Sequence, residues 1–142
     1  MPSLERTFEL DCPLEHAWRV FTEMTDLWWP RGHRRDESAT LVFQPHPGGR
    51  LYEKSANGSE WTLGEVIAAD PPGRLEFNWF PGSPAVPTHV AVTFSADGEG
   101  SIIHIRHEAL ADGAAAIWPE RVALFERGWD IVLTALANHA RS

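Results

Sequence analysis

The groups best placed to do chemistry in this chain are His107, Glu53 and Tyr52. In the run Ser101-Ile102-Ile103-His104-Ile105-Arg106-His107-Glu108, alternation puts Ser101, Ile103, Ile105 and His107 on one face and Ile102, His104, Arg106 and Glu108 on the other. The second set is mostly charged, so the first is expected to face inward, with His107 as a polar group at the inner end of an apolar stripe. An imidazole there either satisfies a neighbour's hydrogen bond or serves ligand recognition or proton transfer. Tyr52 and Glu53 are adjacent, so only one faces inward; if Leu51 points in, Glu53 goes with it. An inward carboxylate is costly unless paired or hydrogen-bonded, and a buried carboxyl is also what a general acid or base requires. Glu65 and Glu76 are rivals, but Glu76 alternates with Leu75, Phe77 and Trp79 and is expected to point outward.

Other chemistries lack their residues. His104 and His107 stand three apart on a strand, so their rings leave opposite faces and cannot share a metal. Cys12 is the single cysteine, which excludes an intramolecular disulfide and any cysteine-rich zinc site. No serine sits in a Gly-x-Ser-x-Gly elbow, and Gly48-Gly49 does not lie between a strand and a helix as a phosphate loop would. No metal and no cofactor are expected, and catalysis is the weaker expectation.

These residues need elements to position them. Leu4–Leu10 alternates as a strand, Leu14, Ala17, Trp18 and Phe21 fall at helical spacing after Asp11-Cys12-Pro13, and a second short helical pattern from Met24 to Trp29 stops at Pro30. Strands follow over Ala39–Gln44, Arg50–Ser55, Glu60–Ala69, Arg74–Phe80, Thr88–Ala96 and Ser101–Glu108. The Gly- and Pro-rich turns between them, Pro81-Gly82-Ser83-Pro84 among them, are short enough to demand antiparallel neighbours. Gly64, in mid-strand, marks a bulge, a bend or a close approach. After a looser stretch, Ala109–Ala116, a long helix opens at Trp118-Pro119-Glu120 and buries Val122, Phe125, Trp129, Val132, Leu133, Leu136 and Ala140 on one stripe. Gly128, unfavourable inside that helix, suggests that a side chain or strand comes close. The order predicts an α+β fold: a curved antiparallel sheet of about seven strands, two short helices and a long C-terminal helix enclosing a cavity.

Length and composition bound the partners. The 142 residues make one domain, 1-142. Lys+Arg 12 against Asp+Glu 20 gives a net charge of -8, which disfavours nucleic acid. No apolar run is long enough for a membrane span, and the first residues do not resemble a signal peptide, so a cytoplasmic location is expected. Seven Trp and seven Phe beside one Tyr mean either a dense aromatic core or rings lining a hole. The basic run Pro30-Arg31-Gly32-His33-Arg34-Arg35 reads as a solvated loop, with a lid or an acidic-ligand contact as the alternative.

Several motifs in order carry a resemblance: Asp11-Cys12-Pro13 with Trp18; Leu27-Trp28-Trp29-Pro30; Pro47-Gly48-Gly49-Arg50-Leu51-Tyr52-Glu53; Gly64-Glu65-Val66; Pro71-Pro72-Gly73-Arg74-Leu75-Glu76-Phe77-Asn78-Trp79; the Gly100 to His107 strand; and Gly128-Trp129. Together they resemble the SRPBCC (START/Bet v 1-like, helix-grip) superfamily, nearest the branch related to the C-terminal domain of the activator of Hsp90 ATPase. The resemblance implies a helix-grip fold with a cavity between sheet and long helix, used among relatives for lipids, sterols, polyketides and other apolar ligands.

The first expectation is therefore a small apolar or aromatic ligand bound by Trp61, Trp79, Ile105, His107, Phe125 and Trp129, with Tyr52 or Glu53 as polar anchor. The alternatives are a cyclase- or hydrolase-like enzyme using His107 with Glu53, and an Hsp90-type chaperone contact. A homodimer is left open.

Overall fold

The computed structural model describes residues 3–80, 88–109 and 112–140, with side chains described throughout these except at 112–117 and 120–121. The order is β1 (Ser3–Leu10), α1 (Leu14–Glu23), α2 (Thr25–Trp28), a single 3-10 turn (Arg31–His33), β2 (Thr40–Phe43), β3 (Arg50–Lys54), β4 (Glu60–Asp70), β5 (Arg74–Trp79), β6 (Thr88–Asp97), β7 (Gly100–Ala109) and α3 (Asp112–Ala140). Seven strands form one antiparallel sheet in the order β1-β7-β6-β5-β4-β3-β2. The short turns dictate this order, since each hairpin lays a strand beside its predecessor; only β1 crosses over, to pair with β7. The expected turn at Pro81-Gly82-Ser83-Pro84 lies outside the described residues.

The alternation of apolar residues fixes which face of the sheet is inner. Register aligns Phe77, Val90, His107 and Leu4 in one row and Leu75, Val92 and Ile105 in the next, all buried. Against these rows pack α1 through Ala17, Val20 and Phe21, and α3 through Trp129, Val132, Leu133 and Leu136. Each fully buried large apolar side chain contributes roughly 1.5–3 kcal/mol, so this layer is the main source of stability. The rings of Phe21, Phe43, Phe77 and Phe94, with Trp18 and Trp28, make a chain of edge and tilted contacts through it.

Two devices bend the sheet. A Cβ on Gly64 would collide with the Asn78 carbonyl oxygen, so close approach of β5 is why glycine is required in mid-strand. The β3–β4 register shifts between Leu51 and Tyr52, opposite Gly64, and the β4–β5 register shifts between Val66 and Ala68; such irregularities increase local twist. The closing helix begins earlier than its sequence suggests. It includes Ala114, Ala115 and Ala116, strong helix formers, and carries Pro119 inside it instead of at its start. No helix among the described residues is long and apolar enough to cross a membrane.

Candidate functional site

Among the described residues, the end of the grip that faces the C-terminal half of β5 and the middle of α3 is not filled. A pocket of about 210 Å³ lies there, lined by Trp29, His33, Trp79, His107, Leu124, Phe125, Gly128, Trp129 and Val132. Helical spacing explains the α3 wall: Leu124, Phe125, Gly128, Trp129 and Val132 recur at three and four residues and share one face. Exposed Leu124 and His33 mark the rim. Trp29 stands against both Trp79 (ring centroids 5.8 Å) and Trp129 (6.4 Å), so three indoles from α2's end, β5 and α3 meet around the space.

His107 is fully buried beside it, with Phe125 at 4.5 Å and Trp118 at 5.5 Å between ring centroids. Its protonation follows from its partners. An indole N–H can only donate, so Trp129 Nε1, 3.0 Å away, donates to His107 Nδ1. The imidazole proton is then on Nε2, which donates to Thr88 Oγ1 at 2.7 Å. The Thr88 hydroxyl in turn donates to the Trp79 carbonyl oxygen at 2.9 Å. Every donor and acceptor of the ring is used, and the chain Trp129, His107, Thr88, Trp79 ties the two pocket walls together. Burial, with a smaller contribution from His89, pushes the His107 pKa down to about 3. At neutral pH it is an uncharged structural imidazole with no lone pair to offer a substrate.

The residues expected to line the site divide. Trp79, His107, Phe125 and Trp129 meet at the pocket. Ile105 is fully buried on the inner face of β7, in packed core. Tyr52 alternates to the outer face, where the Arg50 guanidinium lies 4.0 Å over its ring. Glu53 is the residue of the adjacent pair that turns inward, and it is buried; its Oε2 accepts the Arg35 N–H (2.8 Å) and its Oε1 the Asp36 N–H (2.9 Å). Trp61, its neighbour across β3 and β4, lies under the Arg35 guanidinium at 3.7 Å. Glu53 and His107 sit on strands four places apart in the sheet, and each is hydrogen-bonded to other partners, Glu53 to the strap and His107 to Trp129 and Thr88.

The basic run is a solvated loop at Arg31, Gly32, His33 and Arg35, which are exposed, but not at Arg34. The Arg34 side chain is buried and donates to Asp26 Oδ1 (2.5 Å) and to the carbonyl oxygens of Asp26, Trp29 and Ala39 (2.8 Å each). Arg31 donates to the Glu37 and Ala39 carbonyls. This strap holds Trp29 in the pocket wall, and Glu53 fastens its far end. Replacing Glu53 by Gln puts an amide NH2 opposite a backbone N–H; the expected loss is about 2 kcal/mol of unfolding free energy, measured by urea denaturation.

Trp29, His33, Leu124, Gly128 and Val132 complete the lining beyond the expected set. Trp29 had a signal, its place just before a helix-stopping proline, and His33 had one in the basic run's alternative reading as a lid or ligand contact; Leu124 had none, because it belongs to no buried pattern. Gly128 corrects an expectation. A Cβ built there meets no atom of the described residues within 4 Å, so none of them packs closely on this glycine; it borders the pocket.

On the opposite face of the sheet, His104 bonds Glu5 (3.0 Å) and Thr7 (2.9 Å), well separated from inward His107. Among the described residues no group of His, Cys, Asp and Glu is arranged to hold a metal ion. Cys12 is buried, and burial raises its thiol pKa, the reverse of what a nucleophile needs.

A curved seven-stranded antiparallel sheet closed by one long helix, with an aromatic pocket between them, is a helix-grip α+β protein. Residues 11–141 match the activator of Hsp90 ATPase homolog 1-like proteins, and the chain belongs to that family. No curated protein matches it by sequence. Among solved structures, the anthrahydroquino-gamma-pyrone synthase Txn09 is 26% identical with a TM-score of 0.63, covering 97% of this chain and 96% of its own. DynU16, from the dynemicin biosynthetic locus, is 16% identical with a TM-score of 0.74, covering 99% of this chain and 47% of its own. A Rhodobacter sphaeroides protein is 20% identical with a TM-score of 0.71, covering 96% of this chain and 90% of its own.

Proposed function

We propose that this protein binds a flat, largely apolar aromatic molecule of polyketide-like kind between β5 and α3. The observation that carries this reading is the pocket wall: Trp29, Trp79, Phe125 and Trp129 offer ring faces and edges, and the buried polar side chain among the described lining residues, His107, has no free donor or acceptor. Such a surface favours stacking and apolar burial over hydrogen-bonded recognition. A ligand's polar substituents would then remain at the mouth, near His33. The likeness to Txn09, named as a synthase of a fused-ring pyrone, supports the same ligand class.

The test is quenching of tryptophan fluorescence by 1-hydroxyanthraquinone, with native mass spectrometry for stoichiometry. One equivalent bound at micromolar concentration, lost in Trp79→Ala, is the expected result; absence of quenching by this and by smaller quinones sinks the reading.

A cyclase-like reading has one observation in its favour, the same likeness to a synthase. Since His107 is saturated, the proton carrier on this reading is His33, the other titratable side chain among the described lining residues. It requires His33→Ala to abolish turnover while leaving binding intact. The chaperone reading has the family's description as its support, and stimulation of an Hsp90-type ATPase by the purified protein would establish it.

A further inference from the structure

Gly128 occupies the middle of the α3 face that walls the pocket, with Leu124, Phe125 and Val132 one turn away on either side. A glycine inside a helix needs a reason, because alanine is more favourable there by propensity alone. The usual reasons fail at this position. Its φ is not positive, so no left-handed backbone demands it. Among the described residues no neighbouring strand or side chain would meet a Cβ within 4 Å, so close packing by them does not demand it either, in contrast to Gly64 on β4. What the missing side chain leaves is room, and the room belongs to the pocket.

We infer that Gly128 is the specificity-determining residue of this site: it sets the depth available to the ligand and admits the edge of a ring system that any side chain at this position would exclude. The inference rests on the ligand-binding reading above and adds to it a size limit located in one residue. The flanking residues define the slot. Phe125 and Trp129 are held by their contacts with His107, Phe125 through ring contact and Trp129 through its N–H, so the walls on either side of Gly128 cannot easily swing away to accommodate an added group.

The experiment compares wild type, Gly128→Ala and Gly128→Leu, each titrated with two-ring 1,4-naphthoquinone and three-ring 1-hydroxyanthraquinone by tryptophan quenching, alongside thermal melting. One added methyl in an apolar slot is expected to weaken the three-ring probe about tenfold, and leucine to weaken it more than about 100-fold. If Gly128 sets the depth, a two-ring probe bound at the mouth stops short of it, and its affinity should change by less than about threefold. The melting temperature of Gly128→Ala should rise by about 4 °C, since a helix-unfavourable glycine is replaced without a clash. That rise separates loss of space from loss of fold, and the alanine variant decides the matter even if the leucine variant fails to fold.

Equal weakening of both probes, unchanged three-ring affinity, or a lowered melting temperature in Gly128→Ala would each overturn the role of Gly128 while leaving ligand binding in place. Failure of the wild type to bind either probe would overturn both readings together.

Discussion

Acidification from pH 7.5 to 4.5 is expected to remove roughly 2–3 kcal/mol of unfolding free energy through His107 alone. The folded-state pKa is about 3, against an ordinary value of 6.5. Between those values the unfolded chain binds a proton at this residue and the folded chain does not, so stability rises with pH across the window. The contribution is complete above about pH 6.5 and fades as pH falls, with a slope approaching about 1.4 kcal/mol per pH unit. For a domain whose total stability is typically about 5–15 kcal/mol, this is a large effect from one side chain.

The control is His107→Gln. Its amide oxygen can accept from the Trp129 N–H and its NH2 can donate to Thr88, so the buried chain of hydrogen bonds is retained without a titrating group. Urea denaturation of both proteins at pH 7.5, 6.0 and 5.0 should show the variant's stability falling less steeply, and the difference cancels every other titrating group. Parallel pH curves would refute the neutral, Nε2-protonated assignment, as would a ring-nitrogen NMR spectrum at pH 6 showing a proton on Nδ1.

Asp26→Asn is expected to cost about 3 kcal/mol and to lower the melting temperature by roughly 10 °C. The substitution keeps the shape and leaves an oxygen to accept the Leu41 N–H, now 2.8 Å from Oδ1, but it takes the counter-charge from Arg34. The Arg34 side chain is 1% exposed and that of Asp26 is 34% exposed. Removing one partner of a buried pair leaves an uncompensated charge, which typically costs about 3–5 kcal/mol; the partial exposure of Asp26 puts the expectation at the low end.

The sign of the pH dependence checks the same bond. Burial raises the Asp26 pKa, but the Leu41 N–H and the Arg34 cation more than reverse this, and the net shift is downward. Stability from the pair is therefore present above the ordinary carboxyl range and lost as pH falls below about 4, so wild type and Asp26→Asn should converge in acid. Because Arg34 also binds the Trp29 carbonyl, the variant should weaken quinone binding as well. Unchanged melting in Asp26→Asn would show that the three carbonyls alone hold Arg34.

Much of this arrangement is legible before folding. Alternation along Gly100 to Glu108 and along Arg74 to Trp79 assigns His107 and Trp79 to the inner face, because a strand has only two faces and charge marks the outer one. Helical spacing places Phe125 and Trp129 on the stripe that meets them. The motifs that resemble the helix-grip superfamily are borne out by the fold and by the family match over residues 11–141. The inward turn of Glu53 also follows from Leu51, one alternation away.

The remainder depended on contacts between residues distant in the chain. Whether Glu53 served a ligand or the backbone turned on where the loop after Trp29 came to rest, and two amide groups from that loop claimed both its oxygens. The basic run looked solvated because its neighbours are polar, yet Arg34 was drawn inside by Asp26 and a ring of carbonyls that only the folded loop assembles.

By itself, then, the sequence determined the element order, the faces of the strands and the stripe of the closing helix, since each follows from local periodicity and short-range turn chemistry. It also showed an aromatic load large enough either to pack the core or to line a pocket. Only the tertiary structure decided which rings border open space, that His107 is a saturated neutral group, and that Gly128 stands beside a gap instead of against a neighbour. Those properties arise where β5, β7 and α3 converge from separate parts of the chain, and no local pattern records a distance between them.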